Sequence, residues 1–412
     1  MSQQISFIHA ADLHLDSPFQ GLSHIPEHIF KEVRESTFVA LDRLVRSAIH
    51  LQVDFVLIVG DLFDNERQSL KAQIRLRKAF QELEKHDINV YLSYGNHDHI
   101  NGNIHSVTYP DNVFIFPSEK VSQFTYQKNG IPLATIHGFS YENRAVLTNK
   151  TAEYSMNHQD DLYHIAMLHG SLQNNTEHDT YAPFRLGDLI QSDFDYWALG
   201  HIHQRSVLKE DPPIVYSGNT QGRHRKETGE KGCYHVILSE TNTDLTFIPL
   251  QALQFTNITI DVSSRSEVNQ LEKLIYDEIK HQYEQTTPQF IDLTLVSHQQ
   301  NLYEWKNNDY LAEMIEIINE TFVNQTNWNY IFRYAVKVER SIDEQILVEG
   351  NHFIGELFRQ FNDLPVDNYL NELYKHRQGR KYLETLSEEE RGAIKEEAQQ
   401  LLIHELLMEG GE

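Results

Sequence analysis

Five short clusters of aspartate, asparagine and histidine constrain the possible structures of this chain more than any other feature of its sequence. Each cluster directly follows a strand-like apolar run, so its side chains are expected at the end of a strand. In chain order the clusters are Asp12-Leu13-His14, Gly60-Asp61, Gly95-Asn96-His97-Asp98, His169-Gly170 and Gly200-His201-Ile202-His203. Any one of them could be a loop, a turn or a helix cap. With 23 histidines in the chain one such cluster could arise by chance, but all five in this order are not expected to.

The residue types in the clusters are those of a site for two metal ions. Residues two apart on an extended chain point to the same side, so Asp12 and His14 can reach one ion. His201 and His203 form a second such pair. Asp61 closes an apolar strand through a glycine, which is a suitable place for a carboxylate that bridges two ions.

Asn96 and His169 are the remaining candidate ligands, since an asparagine carbonyl and an imidazole can both donate to a metal ion. The alternative for His169 is a structural role, which is more common for a lone histidine at the end of a strand. Oxygen and imidazole donors without thiolate suit manganese or iron and tolerate zinc. Two divalent ions about 3.5–4 Å apart can neutralise a phosphate ester and activate water near neutral pH. The sequence therefore predicts metal-assisted hydrolysis of a phosphate ester, with two divalent ions as cofactors, for which this donor set leaves manganese or iron.

His97 and Asp98 follow Asn96 directly and predict a catalytic pair. We expect His97 to act as a general acid and Asp98 to hold its imidazole. The alternative is an ordinary asparagine-rich turn.

The formal net charge of −25 is unfavourable for an enzyme of nucleic acids, whose phosphates are bound by basic surface. The charge is uneven, however, because residues 382–412 hold nine acidic and two basic residues, a net charge of −7. Two bound divalent ions would also cancel much of the negative charge at the site itself.

Two basic segments are candidate contacts with a phosphate backbone. The first is a helix face formed by Arg67, Lys71, Arg75 and Lys78. It is either a solvated face, a contact with a phosphate backbone or a contact with a second subunit.

The second basic segment is the glycine-rich loop at residues 220–232, which follows the last cluster closely. Its residues Arg223, Arg225 and Lys226 are predicted to bind nucleic acid. The alternative is a hairpin loop held by salt bridges.

Alternating strand-like and helix-like segments over residues 1–250 predict an α/β (α+β) domain with a mixed sheet or two packed sheets. Residues 251–342 are predicted to form a compact β-α-β-α-β module. Residues 343–412 are predicted to form a helical tail, with helices over residues 346–362 and 366–375 and a last helix that begins at Ser387 with an acidic first turn.

The single cysteine, Cys233, excludes an intramolecular disulfide and fits a reducing compartment. The N-terminus lacks the basic start and the apolar segment of a signal peptide. The longest strand-like stretch is far shorter than the about 20 residues that span a bilayer. We therefore expect a cytoplasmic protein with no membrane segment.

The sequence around the clusters resembles the calcineurin-like metallophosphoesterase superfamily. More narrowly, it resembles the DNA-repair exonuclease branch of the SbcD type, including its bacterial YhaO-type members. The stretches that carry the resemblance are residues 8–16 (IHAADLHLD), 59–64 (VGDLFD), 94–98 (YGNHD), 198–203 (ALGHIH), 216–223 (YSGNTQGR) and 227–232 (ETGEKG). The resemblance covers residues 1–240 well, residues 251–342 only by position as a capping domain, and the tail hardly at all.

The resemblance implies a two-sheet sandwich flanked by helices, a small β-α-β-α-β capping domain that contacts DNA and a helical C-terminal tail that binds a partner. It implies that His97 assists the leaving group or the transition state. It also implies two sets of metal ligands: Asp12, His14 and His203 for one ion, and Asn96, His169 and His201 for the other, with Asp61 bridging.

The resemblance also implies partners: DNA, an SbcC-like coiled-coil ATPase bound through the C-terminal helices, and a second copy of the chain in a homodimer. The dimer contact would involve the helices that follow Asp61 and His97. One position departs from the archaeal and eukaryotic relatives, which have histidine where this chain has Asp64. Their strand-selection properties are therefore not carried over.

Together these features predict a two-metal phosphodiester hydrolase, namely a DNA exonuclease subunit, with single-strand endonuclease activity in addition, of a nuclease–ATPase complex for DNA repair. The first alternative is a phosphodiesterase that acts on nucleotides or other small phosphate esters. The second is a scaffold whose main task is to recruit an ATPase through the tail.

Overall fold

The structure, a computed structural model, describes residues 4–19, 22, 25–64, 68–102, 107–156, 162–173, 181–282, 287–299, 301–338, 360, 365–376, 386, 391–392, 394–395 and 398. The chain divides into two compact units, one of residues 1–295 and 304–336 and the other of residues 296–303 and 337–412. All the candidate metal ligands belong to the first unit. The expected domain boundaries near residues 250 and 342 stay predictions.

The first sheet has the order β12-β11-β1-β2-β3-β4, in which β1 to β4 are parallel and β11 is antiparallel to both of its neighbours, β1 and β12. Its strands are β1 (Ile5–Ala10), β2 (Phe55–Val59), β3 (Asn89–Ser93), β4 (Val113–Ile115), β11 (Gly232–Leu238) and β12 (Thr243–Pro249). The helices α1 (Glu27–Leu51) and α2 (Leu70–Glu84) connect the first three strands. Strand β2 is apolar and buried at every position, as expected of a parallel strand covered on both faces.

The second sheet has the order β5-β6-β7-β8-β10-β9, with its four central strands parallel and its two outer strands antiparallel to their neighbours. Its strands are β5 (Ser122–Lys128), β6 (Ile131–Gly138), β7 (Tyr163–His169), β8 (Tyr196–Gly200), β9 (Ser206–Glu210) and β10 (Pro213–Tyr216). The short helix α3 (Leu186–Ile190) precedes β8.

The two sheets pack face to face over one apolar core. Phe7 and Phe55 of the first sheet belong to this core together with Met167 and Ala198 of the second. Helices α1 and α2 cover the opposite face of the first sheet with a separate core. The predicted α/β two-sheet sandwich flanked by helices is therefore confirmed.

A third, three-stranded sheet follows, with the order β13-β14-β15. Its strands are β13 (Gln254–Asp261), β14 (Gln289–Ser297) and β15 (Asn329–Val338), and its helices are α4 (Asn269–Gln282), α5 (Asn301–Asn307) and α6 (Tyr310–Phe322). The element order is the predicted β-α-β-α-β with α5 as an additional short helix. Below, the residues from β13 to β15 are called the central module.

Phe290 and Trp328 of the central module lie in one apolar cluster with Ile29 and Val33 of α1. The indole Nε1 of Trp328 also donates to Oε2 of Glu32 at 2.8 Å. The module is therefore packed directly on the helix that follows β1.

In the tail the structure describes one helix, α7 (Val366–Lys375), where a helix was predicted. The helix predicted over residues 346–362 lies outside the described residues except at residue 360, and most of the helix predicted from Ser387 lies outside them as well. No helix in the described part of the chain is long and apolar enough to cross a membrane.

Candidate metal centre

All five clusters lie at the carboxyl ends of central strands. Those ending β1, β2 and β3 belong to the first sheet, and those ending β7 and β8 belong to the second. Because the sheets pack face to face, these ends lie side by side. The strands therefore bring residues from five separate stretches of sequence to one place.

The first group of donor atoms comes from Asp12, His14 and His203, which all lie within 4.8 Å of one another. The Nε2 atoms of His14 and His203 are 3.1 Å apart. Oδ1 of Asp12 lies 4.0 Å from Nε2 of His203. Two imidazole nitrogens bound to one ion at about 2.1 Å lie about 3.0–3.4 Å apart, so this spacing fits a shared cation.

The second group comes from Asp12, Asp61 and His169, again within 4.8 Å of one another. Nε2 of His169 lies 3.5 Å from Oδ2 of Asp61 and 3.0 Å from Oδ1 of Asn96. Asn96 therefore offers its amide oxygen at the same place.

Asp61 stands between the two groups. Its Oδ2 atom lies 3.8 Å from Nε2 of His14 and 3.5 Å from Nε2 of His169. Its Oδ1 atom accepts a hydrogen bond of 3.0 Å from the backbone N–H of His97. This is the position that a bridging carboxylate needs.

His201 approaches the centre differently from the other candidate ligands. Its backbone N–H donates to Oδ2 of Asp12 at 3.0 Å, and its ring centroid lies 5.3 Å from that of His169. Within the described residues it belongs to neither group of donor atoms that lie within 4.8 Å. Its assignment as a ligand stays a prediction, as do the assignments of the other six.

The outer nitrogens of two imidazoles are fixed by acceptors. Nδ1 of His169 lies 3.0 Å from the carbonyl oxygen of Val59, and Nδ1 of His203 lies 2.6 Å from Oε1 of Glu227. In the neutral imidazole, an acceptor at Nδ1 keeps the proton there, so the lone pair of Nε2 is directed at the centre. This arrangement is typical of metal-binding histidines.

Several candidate ligands have a backbone conformation that is rare outside glycine. The φ angles are 52° at Asp12, 42° at His14, 50° at Asp61 and 91° at His201. Strained conformations of this kind persist only where the surrounding structure imposes them, and they concentrate at functional sites. They bring side chains from tight turns directly over the strand ends.

Two glycines make room for these side chains. A Cβ atom on Gly95 would lie 2.3 Å from Oδ1 of Asp61 and 2.8 Å from Nε2 of His169. A Cβ atom on Gly60 would lie 2.2 Å from Nδ1 of His169. The backbone therefore passes the centre at a distance that no larger residue allows.

The charges at the centre are strongly coupled. Burial acts to raise the pKa of Asp61, but His169 and His14 outweigh it and hold that pKa well below its usual value. Burial acts to lower the pKa of His169, but Asp61 and Asp12 outweigh it and raise that pKa to about 9. Burial, Arg223 and His203 hold the pKa of His14 well below its usual value. Buried carboxylates facing imidazole nitrogens fit a divalent cation.

His97 and Asp98 do not form the expected pair. The structure corrects that expectation, because Nδ1 of His97 lies 2.7 Å from the backbone oxygen of Asp64. Asp98 instead accepts from the backbone N–H groups of Leu62 at 2.6 Å and Gly95 at 2.7 Å. The turn directs the Asp98 carboxylate at backbone donors, where it ties two loops of the centre together.

The buried position of Asp98 affects its protonation. Burial and the neighbouring Asp61 raise the pKa of the Asp98 carboxyl to about 7. Its two short hydrogen bonds to N–H groups remain its direct contacts. Asp98 is therefore a residue that supports the loops of the centre.

Two of the three candidate nucleic-acid residues make ion pairs within the chain. Arg223 pairs with Asp64, and Nη1 of Arg225 lies 3.8 Å from Oδ2 of Asp292. The backbone N–H of the third candidate, Lys226, lies 3.3 Å from Nδ1 of His224. These contacts are those of a loop held by salt bridges, and nucleic-acid binding by it stays a prediction.

The basic helix face belongs to α2, and its first residue, Arg67, lies outside the described residues. Lys71 and Arg75 both pair with Glu35 of α1 and lie over the ring of Phe38. These two residues therefore connect the two helices of one chain.

Glu227 is a functional candidate that sequence reasoning missed. It is a buried carboxylate in contact with His203. In the sequence it is one acidic residue of a basic loop. Its contact with the candidate ligand His203 is visible only in the structure.

The comparisons with known proteins agree with this geometry. The model of the calcineurin-like phosphoesterase family matches residues 5–205. The metallophosphoesterase YhaO of Bacillus subtilis (strain 168) is 38% identical over 410 residues, which cover 98% of this chain and 99% of YhaO.

A more distant relative is the DNA double-strand break repair protein Mre11 of Methanocaldococcus jannaschii. It is 26% identical over 298 residues, which cover 67% of this chain and 77% of Mre11. Two findings show the family: the match of the family model, and the similarity to YhaO over nearly the whole of both chains. This chain thus belongs to the calcineurin-like metallophosphoesterase family and is a metal-dependent phosphoesterase.

Proposed function

We propose that this protein is a manganese-dependent DNA exonuclease, with single-strand endonuclease activity in addition, of the SbcD-like branch of the family. The observation that carries the two-ion part of the proposal is the position of Asp61, whose Oδ2 atom lies within 4 Å of a histidine nitrogen from each donor group. Similarity to an archaeal DNA double-strand break repair protein supports the choice of DNA as substrate.

Two ions are proposed, with Asp12, His14 and His203 as ligands of one and Asn96, His169 and His201 as ligands of the other. Bound divalent ions supply charge neutralisation at a phosphate and activation of water. The oxygen and imidazole donor set suits Mn2+, which is the metal that we propose. Asp61 is proposed to contribute to both positions.

His97 is proposed to protonate the leaving oxygen. It is partly buried, and its Nδ1 is occupied by the backbone oxygen of Asp64 at 2.7 Å. That contact orients the ring and leaves Nε2 as the nitrogen that can exchange a proton with substrate. The ring also lies against that of His14, with 5.1 Å between centroids.

The central module supports a polymeric substrate. It packs directly on α1, the helix that follows the Asp12 cluster, through Phe290, Trp328 and their apolar neighbours. A phosphodiesterase of nucleotides or other small phosphates has no evident need for a module of this size beside its centre. We propose that the module contacts DNA.

A coiled-coil ATPase and a second copy of this chain are the proposed partners. Helix α7 in the tail carries exposed Tyr369 and Leu373, one turn apart, which suits a contact with a partner helix. Helix α2 begins with exposed Leu70, which suits a dimer contact. An ATPase that supplied basic surface would also offset the net charge of −25.

The test uses the purified full-length chain with Mn2+ on end-labelled duplex DNA, on circular single-stranded DNA and on a small aryl phosphodiester. We expect DNA degradation that requires Mn2+ and is abolished in Asp61→Asn. Turnover of the aryl diester without degradation of DNA would favour a small-phosphate phosphodiesterase. No hydrolysis of any substrate would favour a scaffold that recruits an ATPase.

Partners are tested separately, by recovering tagged full-length chain from its native cells. We expect a coiled-coil ATPase to be recovered with the wild-type chain and lost from Leu373→Glu. Analytical ultracentrifugation of the purified chain should show a dimer that Leu70→Glu weakens. A monomer at micromolar concentration would refute the dimer.

A further inference from the structure

Glu227 has an unusually complete set of hydrogen-bond donors for a single carboxylate. Oε1 lies 2.6 Å from Nδ1 of His203 and 3.2 Å from Nε2 of His224. Oε2 accepts from Nδ2 of Asn219 at 2.8 Å and from the backbone N–H of Arg223 at 2.7 Å. The residue is only 6% exposed, so these contacts replace nearly all of its hydration.

Only a carboxylate satisfies this set of partners. Both oxygens of Glu227 face donors. The Arg223 backbone N–H can only donate, and the Asn219 NH2 group is held as a donor because it also donates to the carbonyl of Gln221 at 2.9 Å. A glutamine would have to turn its NH2 group either towards these two donors or towards His203. If the glutamine NH2 group faces Asn219 and Arg223, a donor faces two other donors. If it faces His203, it donates to Nδ1, and the imidazole must then carry its proton on Nε2.

The proton on Nδ1 of His203 decides whether that residue can bind an ion. With Nδ1 donating to Glu227, the lone pair of Nε2 is directed at Nε2 of His14, 3.1 Å away, and at Asp12. A carboxylate acceptor also makes the imidazole more basic and therefore a better ligand.

Both histidines of this ion position are connected to the same loop. His203 contacts Glu227, and His14 has its Nδ1 atom 3.7 Å from Oδ1 of Asp64, which pairs with Arg223. The imidazole of His169 is held instead by the main chain of β2, through the carbonyl of Val59. The two donor groups share Asp12, but their histidines are supported by different parts of the protein.

The loop is in turn held by the central module. The backbone N–H of Gly229 donates to the carbonyl of Phe255 in β13 at 3.2 Å. Nη1 of Arg225 lies 3.8 Å from Oδ2 of Asp292 in β14. These contacts on either side of Glu227 fix its carboxylate against His203.

We infer that Glu227 is a positioning residue for one ion only, the ion held by Asp12, His14 and His203. Its carboxylate sets the affinity of this position and leaves the position of Asp61 and His169 unchanged. The inference rests on the proposed two-ion centre and is independent of whether DNA is the substrate.

The test counts bound ions in the full-length chain after metal is removed and Mn2+ is titrated back. Free Mn2+ is followed by electron paramagnetic resonance. The wild-type chain should bind two ions. Glu227→Gln should bind one ion with wild-type affinity and the other about 10–100-fold more weakly. Glu227→Asp, which keeps the charge, should recover part of the difference.

The matched control is Glu230→Gln in the same loop. Glu230 is exposed and pairs with Arg205 at 3.6 Å, so its substitution removes the same charge without contacting a ligand. Both affinities should equal those of the wild type in this variant. Thermal unfolding of the metal-free variants shows whether each one folds.

Two outcomes would overturn the inference. One is wild-type affinity at both positions in Glu227→Gln. The other is equal weakening of both positions with a lowered unfolding temperature and no recovery in Glu227→Asp, which indicates a purely structural role. A wild-type chain that saturates at one ion would refute the two-ion centre itself, and DNA cleavage is not needed for any of these results.

Discussion

Nε2 of His169 lies 3.5 Å from Oδ2 of Asp61, and both side chains are buried. Burial opposes a charge on either residue, but their mutual attraction outweighs it. It lowers the pKa of Asp61 and raises that of His169 to about 9. At neutral pH the metal-free centre therefore holds an ion pair where the second donor group would hold a cation.

The ion pair predicts that metal binding competes with one proton. His169 has its proton below about pH 9 and must lose it to donate through Nε2. Affinity for Mn2+ should rise about tenfold per pH unit between pH 7 and pH 9 and level off above. Calorimetric titration in buffers of different ionisation enthalpy counts the protons released. Zero release at pH 7.5 would show that His169 is already neutral.

His97→Gln should lower hydrolysis without removing metal. His97 belongs to neither donor group, and loss of a general acid costs about 10²–10⁴-fold in rate. The loss should be large on DNA and small on an aryl phosphodiester, whose leaving group needs no proton. Exposed His86→Gln is the control. An equal loss on both substrates would argue against the role of a general acid.

The positions of the candidate ligands along the chain could be predicted because they follow apolar runs that become central strands. Strands β1, β2, β3, β7 and β8 are buried at nearly every position, so their ends are visible in the sequence. The edge strands β5, β9 and β12 could not be recognised in this way. Their many polar and exposed positions resemble loop sequence.

The supporting contacts could not be predicted, because they depend on backbone geometry. Asp98 was expected to hold its sequence neighbour His97, but the turn at Gly95 directs it at backbone N–H groups. Glu227 follows His203 by 24 residues and reaches it only because the hairpin of β9 and β10 folds the chain back. The positive φ angles at Asp12 and Asp61 could not be predicted either, because these residues are not glycines.

Gly95→Ala should weaken metal binding while preserving the fold. The added Cβ would lie 2.3 Å from Oδ1 of Asp61 and must displace it or His169. We expect Mn2+ affinity to fall by at least about tenfold, as for loss of a contact that orients a ligand. Gly187→Ala is the control, because nothing lies within 4 Å of its added Cβ. Unchanged ion binding in Gly95→Ala would show that the loop relaxes.

Substitution of Trp328 tests whether the packing of the central module on α1 contributes to the stability of the protein and to its binding of DNA. It is buried against Phe290, and its Nε1 donates to Glu32 at 2.8 Å. Trp328→Ala should lower the free energy of unfolding by about 3–5 kcal/mol, because it leaves a cavity. Glu32→Gln, which keeps the shape, should lower it by only about 1 kcal/mol.

Urea unfolding followed by circular dichroism measures the free energy of unfolding of Trp328→Ala and Glu32→Gln. If the module contacts DNA, Trp328→Ala should raise KM for DNA and leave turnover of an aryl phosphodiester nearly unchanged, since the ligands lie at strand ends of the two large sheets. A parallel loss on both substrates would mean that the substitution disturbs the metal centre through α1. Unchanged kinetics on DNA, despite the lost stability, would remove the module from the proposed DNA-binding surface.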